Sequence, residues 1–246
     1  MGVKKNREAL QSTVVGDGLQ AQAARWNFGG NVPDSFEQHA RRSIPYYDDG
    51  HELVARISDH FLHPGSICYD LGCSSGKLLE RLVDRHGDRC RFVGVDCEPA
   101  MVEKASSHFC SHQNVAIVEA DICTMELEKA DLVVLNYTVQ FVHPKQRQNL
   151  LDSLYQSLNW GGALMMFEKV RGADARFQDI MSQVYVELKL ENGFTPAEIM
   201  AKARSLKGVL EPFSSQANID MMRRAGFLDV MTVFKYVCFE GFLAIK

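Results

Sequence analysis

The chain has 246 residues, a formal net charge of −4 and 46% hydrophobic residues. That length suits one α/β domain with additions, or at most two small domains, and the hydrophobic share fills an ordinary core. A mildly acidic chain, with a sequence pI near 6.1, argues against a dedicated nucleic-acid binder, which needs a basic surface, and leaves room for a local basic patch.

Residues from Met1 to about Gly30 are polar and glycine-punctuated. They predict a mobile arm with room for one short helix, and Trp26 and Phe28 are apolar enough to dock on something. The start, Met-Gly-Val-Lys-Lys-Asn, has neither a signal-peptide core nor the Ser/Thr of a myristoylation site. The segment from Asn31 to Tyr47 ends in Arg41-Arg42-Ser-Ile-Pro-Tyr-Tyr47 and reads as a loop, or as a lid over a ligand.

From Asp48 to Leu62, apolar residues recur at helix spacing until Pro64-Gly65. Ile67 to Leu71 reads as a strand, Lys77 to about Asp84 as a helix, and Phe92 to Asp96 as a second strand. Glu98-Pro99 opens another helix, and Val115 to Glu119 is strand three. Asp131 to Leu135 suits a strand buried on both faces. A helix from Pro144 to about Leu158 is expected to stop at Trp160-Gly161-Gly162, before strand five at Ala163 to Phe167. Regular alternation then lapses from Arg171 to Phe213, which predicts an inserted cap. A helix from Ser215 to Arg224 and strands near Leu228–Val233 and Cys238–Ile245 complete the chain. The predicted fold is α/β, Rossmann-like, with a mostly parallel sheet, an antiparallel last strand and helices on both faces. The expected organisation is an arm and lid over 1–47 and a main domain over 48–246, with the cap at about 171–213.

The chemistry concentrates at the strand ends. Asp70-Leu-Gly72-Cys-Ser-Ser-Gly76 follows the first strand of the alternation and precedes a helix. Gly72 permits close approach of a ligand to the backbone, and Gly76 lets the helix start against the sheet. About 20 residues on, Asp96 ends the next strand. An acid there accepts hydrogen bonds from ribose hydroxyls and repels phosphate. A nucleoside without pyrophosphate fits, with S-adenosyl-L-methionine (SAM) the obvious one. The seven cysteines contain no Cys-x-x-Cys pair, so reduced thiols in a cytoplasmic protein are expected. No apolar run is long enough to span a bilayer.

With these residues in view, the chain resembles the class I SAM-dependent methyltransferases. Within them it resembles the carboxy-S-adenosyl-L-methionine synthases of tRNA wobble-uridine modification. The resemblance runs from about Arg42 to Lys246. It rests on Arg42–Tyr47, Tyr69–Gly76, Leu135–Phe141, Glu168–Arg171, Asn192–Phe194 and Phe239–Lys246. It implies ligand contacts at Tyr47, Gly72, Cys73, Ser74, Asp96, Cys97, Asp121, Ile122 and Asn136. In that reading Asp96 holds the ribose, Asp121 reads the adenine amino group beside Ile122, and Asn136 and Gly72 address the amino-acid end. It also implies a homodimer. One departure stands out: the family's carboxylate-binding arginine falls on Ala203, between Lys202 and Arg204, and Cys97 stands where the family has Asn.

Three functions follow as expectations. The first is in-line methyl transfer from SAM to a small molecule, favoured because a lost bidentate clamp leaves a pocket for plain SAM. Tyr47, His143, Glu168 and Arg171 are its candidate catalytic residues. His143 also reads as a surface residue before Pro144, Glu168 as a partner of Arg171, and Arg171 as a binder of acidic substrate. The second is the family's reaction, carboxyl transfer from prephenate to SAM. The third is nucleotide binding without catalysis. No metal, membrane or direct nucleic-acid contact is expected.

Overall fold

The structure is a computed structural model that describes residues 13–17, 19–21 and 32–246. Nine strands and eight α-helices appear among these residues, labelled here in chain order. A hairpin comes first, β1 (Thr13–Gly16) and β2 (Leu19–Ala21), paired antiparallel. This corrects the expectation of an arm with one short helix for that stretch. The expected docking of Trp26 and Phe28 lies outside the described residues.

Two helices follow, α1 (Val32–Ser43) and α2 (Tyr47–Ser58). α1 occupies the stretch expected to be a loop or lid. Its basic pair, Arg41 and Arg42, falls in the last turn, where cations complement the exposed carbonyls. The alternating unit is β3 (Ile67–Leu71), α3 (Lys77–His86), β4 (Arg91–Asp96), α4 (Pro99–His108), β5 (Val115–Glu119), β6 (Ala130–Asn136), α5 (Pro144–Ser157) and β7 (Leu158–Lys169). After β7 come α6 (Ala175–Glu191), α7 (Pro196–Ser205), α8 (Ser215–Ala225), β8 (Asp229–Tyr236) and β9 (Phe239–Ile245).

Seven strands form one sheet in the order β5-β4-β3-β6-β7-β9-β8. β3 through β7 pair in parallel, and β9 pairs antiparallel with both β7 and β8. The central strands are apolar on both faces because helices cover both. On β6, Leu132 and Val134 pack on one side with Leu79, Phe92 and Phe167. Val133 and Leu135 pack on the other with Val95, Leu151 and Met166. Full burial of each such side chain contributes about 1.5–3 kcal/mol. β7 starts earlier than expected, running through Trp160-Gly161-Gly162. Gly161 takes a φ of +79° there, and a register shift lies opposite at Ala130/Leu132. The glycines thus make an irregular strand entry instead of a turn.

The two helices after β7 carry strong start signals. Asp174 accepts from the Phe177 N–H at 3.0 Å to open α6. Thr195 and Glu198 form a reciprocal capping box at α7, with Pro196 in its first turn.

Candidate functional site

β3 is flanked by β4 on one side and β6 on the other. Chain connections diverge at that point and leave a crevice beyond the carboxyl ends of the strands. A cavity of about 600 Å³ occupies it, walled also by α1, α2, α6 and α7.

The β3–α3 turn shapes one half. Gly72 has a φ of +81°, and a Cβ there would meet Thr138 Oγ1 at 2.4 Å, so no other residue fits. Ser74 is also left-handed, with a φ of +52°. Its N–H donates to Asp96 Oδ2 at 2.8 Å, and the Glu98 N–H donates to Oδ1 at 3.0 Å. Asp96 therefore ties the turns after β3 and β4 together. Each of its oxygens keeps acceptor capacity for a ribose hydroxyl.

Asp70 is buried, and neither of its carboxylate oxygens has a partner. Burial, and then the nearby Asp96, push its pKa up to about 7. An enclosed carboxylate without a donor favours a proton or a cationic ligand. A SAM molecule, with a sulfonium and an ammonium, fits that demand, whereas a pyrophosphate would face two acids.

The expected ligand residues converge on this half. Tyr47, Gly72, Cys73 and Ser74 line the cavity with Asp70 and Asp96. Cys97, Asp121, Ile122 and Asn136 line it as well. Asp121 Oδ1 accepts from the Cys123 N–H at 2.9 Å, which fixes that loop. Asn136 Nδ2 lies 2.8 Å from His51 Nε2, and the His51 ring lies 4.3 Å from the Tyr47 ring. Burial holds His51 down to about 4, so it is neutral at pH 7. Burial also pushes the Cys73 thiol upward, which keeps it unreactive.

Three lysines shape the other half. Lys169 at the end of β7, Lys189 on α6 and Lys202 on α7 all line the cavity. The ammonium groups of Lys169 and Lys189 lie 4.2 and 4.3 Å from the Tyr185 ring centroid. Among the described residues, neither of these two has an acidic partner. Burial and then Lys169 lower Lys189 to about 7, and burial and then Lys189 lower Lys202 to about 6. Lys169 is lowered by burial as well. Burying cations this way is expensive unless an anion joins them. No arginine lines the cavity among the described residues.

Two candidate catalytic residues lie elsewhere. Glu168 does not line the cavity; its Oε1 accepts from the Val139 N–H at 2.9 Å beneath the turn after β6. Burial raises it to about 8, and Arg147, not Arg171, is its cationic neighbour. Adjacent strand residues point to opposite sides, so Lys169 faces the cavity because Glu168 does not. Arg171 is exposed, and its N–H donates to the Phe213 carbonyl at 2.9 Å. His143 sits at the cavity rim, and its Nδ1 accepts from the Lys145 N–H at 3.2 Å as the cap of α5. Lys169, Lys189, His39 and His51 line the cavity without having been expected there. The Glu168-Lys169 alternation is the signal that could have found the first.

Ala203 is exposed on α7, and Lys202, not Ala203, is the residue that lines the cavity. An arginine at 203 would point away from this chain's own pocket.

Fold and pocket together define a SAM-dependent transferase of the class I methyltransferase type. Residues 68–162 match the model of a methyltransferase domain. A human N-acetylserotonin methyltransferase in complex with SAM superposes with a TM-score of 0.61 at 20% identity, over 88% of this chain and 56% of that one. The pyocyanin biosynthetic protein PhzM gives 0.62 at 15% identity, over 88% of this chain and 58% of that one. The chain thus spans little more than half of these longer structures, and the likeness concerns the fold. Two relatives extend over nearly the whole chain. A carboxy-S-adenosyl-L-methionine synthase from Shigella sonnei is 34% identical over 230 residues, 92% of this chain and 93% of that protein. One from Staphylococcus epidermidis is 32% identical over 223 residues, 90% of this chain and 97% of that protein. The chain belongs to the carboxy-S-adenosyl-L-methionine synthase family, and it is an enzyme that uses SAM.

Proposed function

We propose that this enzyme transfers the methyl group of SAM to a small acceptor that carries a carboxylate. The observation that carries this reading is one cavity with two charge characters. Acids line it at the ends of β3 and β4, and three lysines line it at β7, α6 and α7.

Bound SAM supplies an activated methyl on a sulfonium. Asp70 balances its positive charge, Asp96 accepts from the ribose, and Asp121 and Ile122 take the adenine edge. Gly72 and Asn136 meet the amino-acid end. Lys169, Lys189 and Lys202 hold the acceptor's carboxylate. Tyr47, Tyr137 and Phe239 lie in the cavity wall and keep water from the reacting atoms. The first test is mass spectrometry of the ligand that co-purifies under non-denaturing conditions. SAM or S-adenosylhomocysteine (SAH) is expected; an absence of any adenosyl ligand, with no SAM binding by titration, contradicts the reading.

Family membership favours a second reading, carboxyl transfer to SAM, the product for which the relatives are named. The lysine cluster could hold an added carboxylate. Against it stands the lack of an arginine fork in the cavity. Carboxy-SAM in the co-purified ligand would establish it.

The same reading takes 171–213 as a cap on the domain 48–246. It places the enzyme in the cytoplasm, which suits seven free cysteines. No helix among the described residues is long and apolar enough to cross a membrane. We also infer a homodimer. Phe177, Ile180 and Val184 are exposed along α6 at helical spacing. A monomer mass by light scattering would remove that idea.

A further inference from the structure

Asp17 sits in the turn of the β1–β2 hairpin, and its side chain is only 2% exposed. One carboxylate oxygen pairs with Arg42. The other lies 2.8 Å from His39 Nδ1. On the far side of the imidazole, Nε2 lies 3.4 Å from Ser43 Oγ, one helical turn along α1. His39 and Ser43 both line the cavity, on the side where Lys189 and Lys202 lie.

This constellation does more than latch the hairpin. Arg42 already does that: it pairs with Asp17, donates to the Asn192 carbonyl at 3.0 Å, and stacks 4.2 Å from the Phe194 ring. The histidine contact adds orientation. A carboxylate at Nδ1 selects the Nδ1–H tautomer and leaves Nε2 as an acceptor. The 3.4 Å contact to Ser43 is loose enough for a substrate hydroxyl to replace it. We propose that His39 is the general base toward the second substrate, that Asp17 positions it, and that the acceptor's nucleophile is a protic O–H or N–H. This rests on the methyl-transfer reading and narrows its acceptor to a small hydroxy or amino acid.

In the step, the acceptor's O–H proton passes to His39 Nε2. The oxygen's electron pair forms the new bond to the methyl carbon, and the carbon–sulfur pair stays on sulfur, giving SAH. His39 then returns the proton to water. Several groups bear on the imidazole. Asp17 comes from the hairpin, Arg42 and Ser43 from α1, Lys189 from α6 and Lys202 from α7. Burial first and Lys202 next hold His39 down to about 4. An acceptor carboxylate on the lysines offsets the second influence and makes the base stronger when substrate is present. The hairpin supplies Asp17, so seating the hairpin completes the base.

The test compares two probes in the full chain. 4-Hydroxybenzoate must lose a proton to be methylated, whereas 4-mercaptobenzoate is already a thiolate at pH 8. We expect His39→Gln to slow O-methylation about 10²–10⁴-fold and to leave S-methylation within about threefold, since the thiolate needs no base. Asp17→Asn should lower kcat for the phenol by roughly tenfold or more with little change in KM, through the wrong tautomer. Nitrogen-15 NMR of the SAH complex should show a neutral His39 with its proton on Nδ1 from pH 5 to 8. Equal losses on both probes, or a proton on Nε2, would overturn the proposal. So would a wild-type enzyme that binds SAM and methylates neither probe. Failure to bind SAM would instead sink the transferase reading beneath it.

Discussion

At the residue scale, Asp70 and Lys189 make opposite demands on the same cavity. Asp70 is raised to about 7, above its ordinary carboxylate value. Its stabilising contribution is therefore present below about pH 4 and is lost as pH rises through 7. Asp70→Asn should flatten this part of the pH dependence and raise the thermal midpoint of the ligand-free protein at pH 8. It should also weaken SAM binding by about 1–3 kcal/mol. Lys189 is lowered to about 7, so stability falls as pH drops from about 10 toward 7. Lys189→Met should then stabilise the ligand-free protein at pH 7 by about 1 kcal/mol or more while removing its affinity for benzoate. A destabilised Lys189→Met variant would show that the lysine is a structural partner. Position 203 gives a sharper comparison. Ala203→Arg projects to solvent and should leave carboxy-SAM binding unchanged, whereas Lys202→Arg puts a fork in the cavity and should tighten it. The acids at the strand ends were legible in the sequence, because a strand, a glycine turn and a helix start place them together. Glu168 and Arg171 were misplaced because position after a strand does not say which side of the sheet a side chain takes.

At the scale of elements, β3, β4, β6 and α5 lie close to where their sequence patterns put them. Their apolar runs are bounded by Pro64-Gly65, Gly72 and Pro144, which punctuate strongly. The turn after β3 is the least tolerant of these boundaries. Gly72→Ala forces a methyl onto Thr138 Oγ1 from a φ of +81°. It should destabilise the protein by on the order of 2–3 kcal/mol and abolish SAM binding; an unperturbed melting curve would contradict the close packing. The N-terminal elements were the least legible. α1 offers only Phe36 and Ala40 as apolar positions, one helical turn apart in a polar run, and so short a pattern behind Val32-Pro33 reads as loop. His39 and Arg42 on α1 are partnered by Asp17, 22 and 25 residues away. Such pairings come from tertiary structure and leave no local pattern. The lysines of α6 and α7 were hidden similarly, since no periodicity tells which charged residue of a cap turns inward.

At the scale of the whole molecule, the sheet reversal at β3 and β6 puts a cation-seeking pocket beside an anion-seeking one, with α6 and α7 lining the second. The measurement that tests this most directly is calorimetric titration at pH 7, repeated in buffers of different ionisation heat. The protein is titrated first with SAM and then, when saturated, with benzoate. SAM should bind with proton release, because a cation beside Asp70 drives that carboxyl to ionise. Benzoate should bind with proton uptake, because an anion favours the charged forms of Lys189 and Lys202. Proton exchange of the same sign for both ligands, or no binding of benzoate to the SAM complex, would contradict the two-sided site.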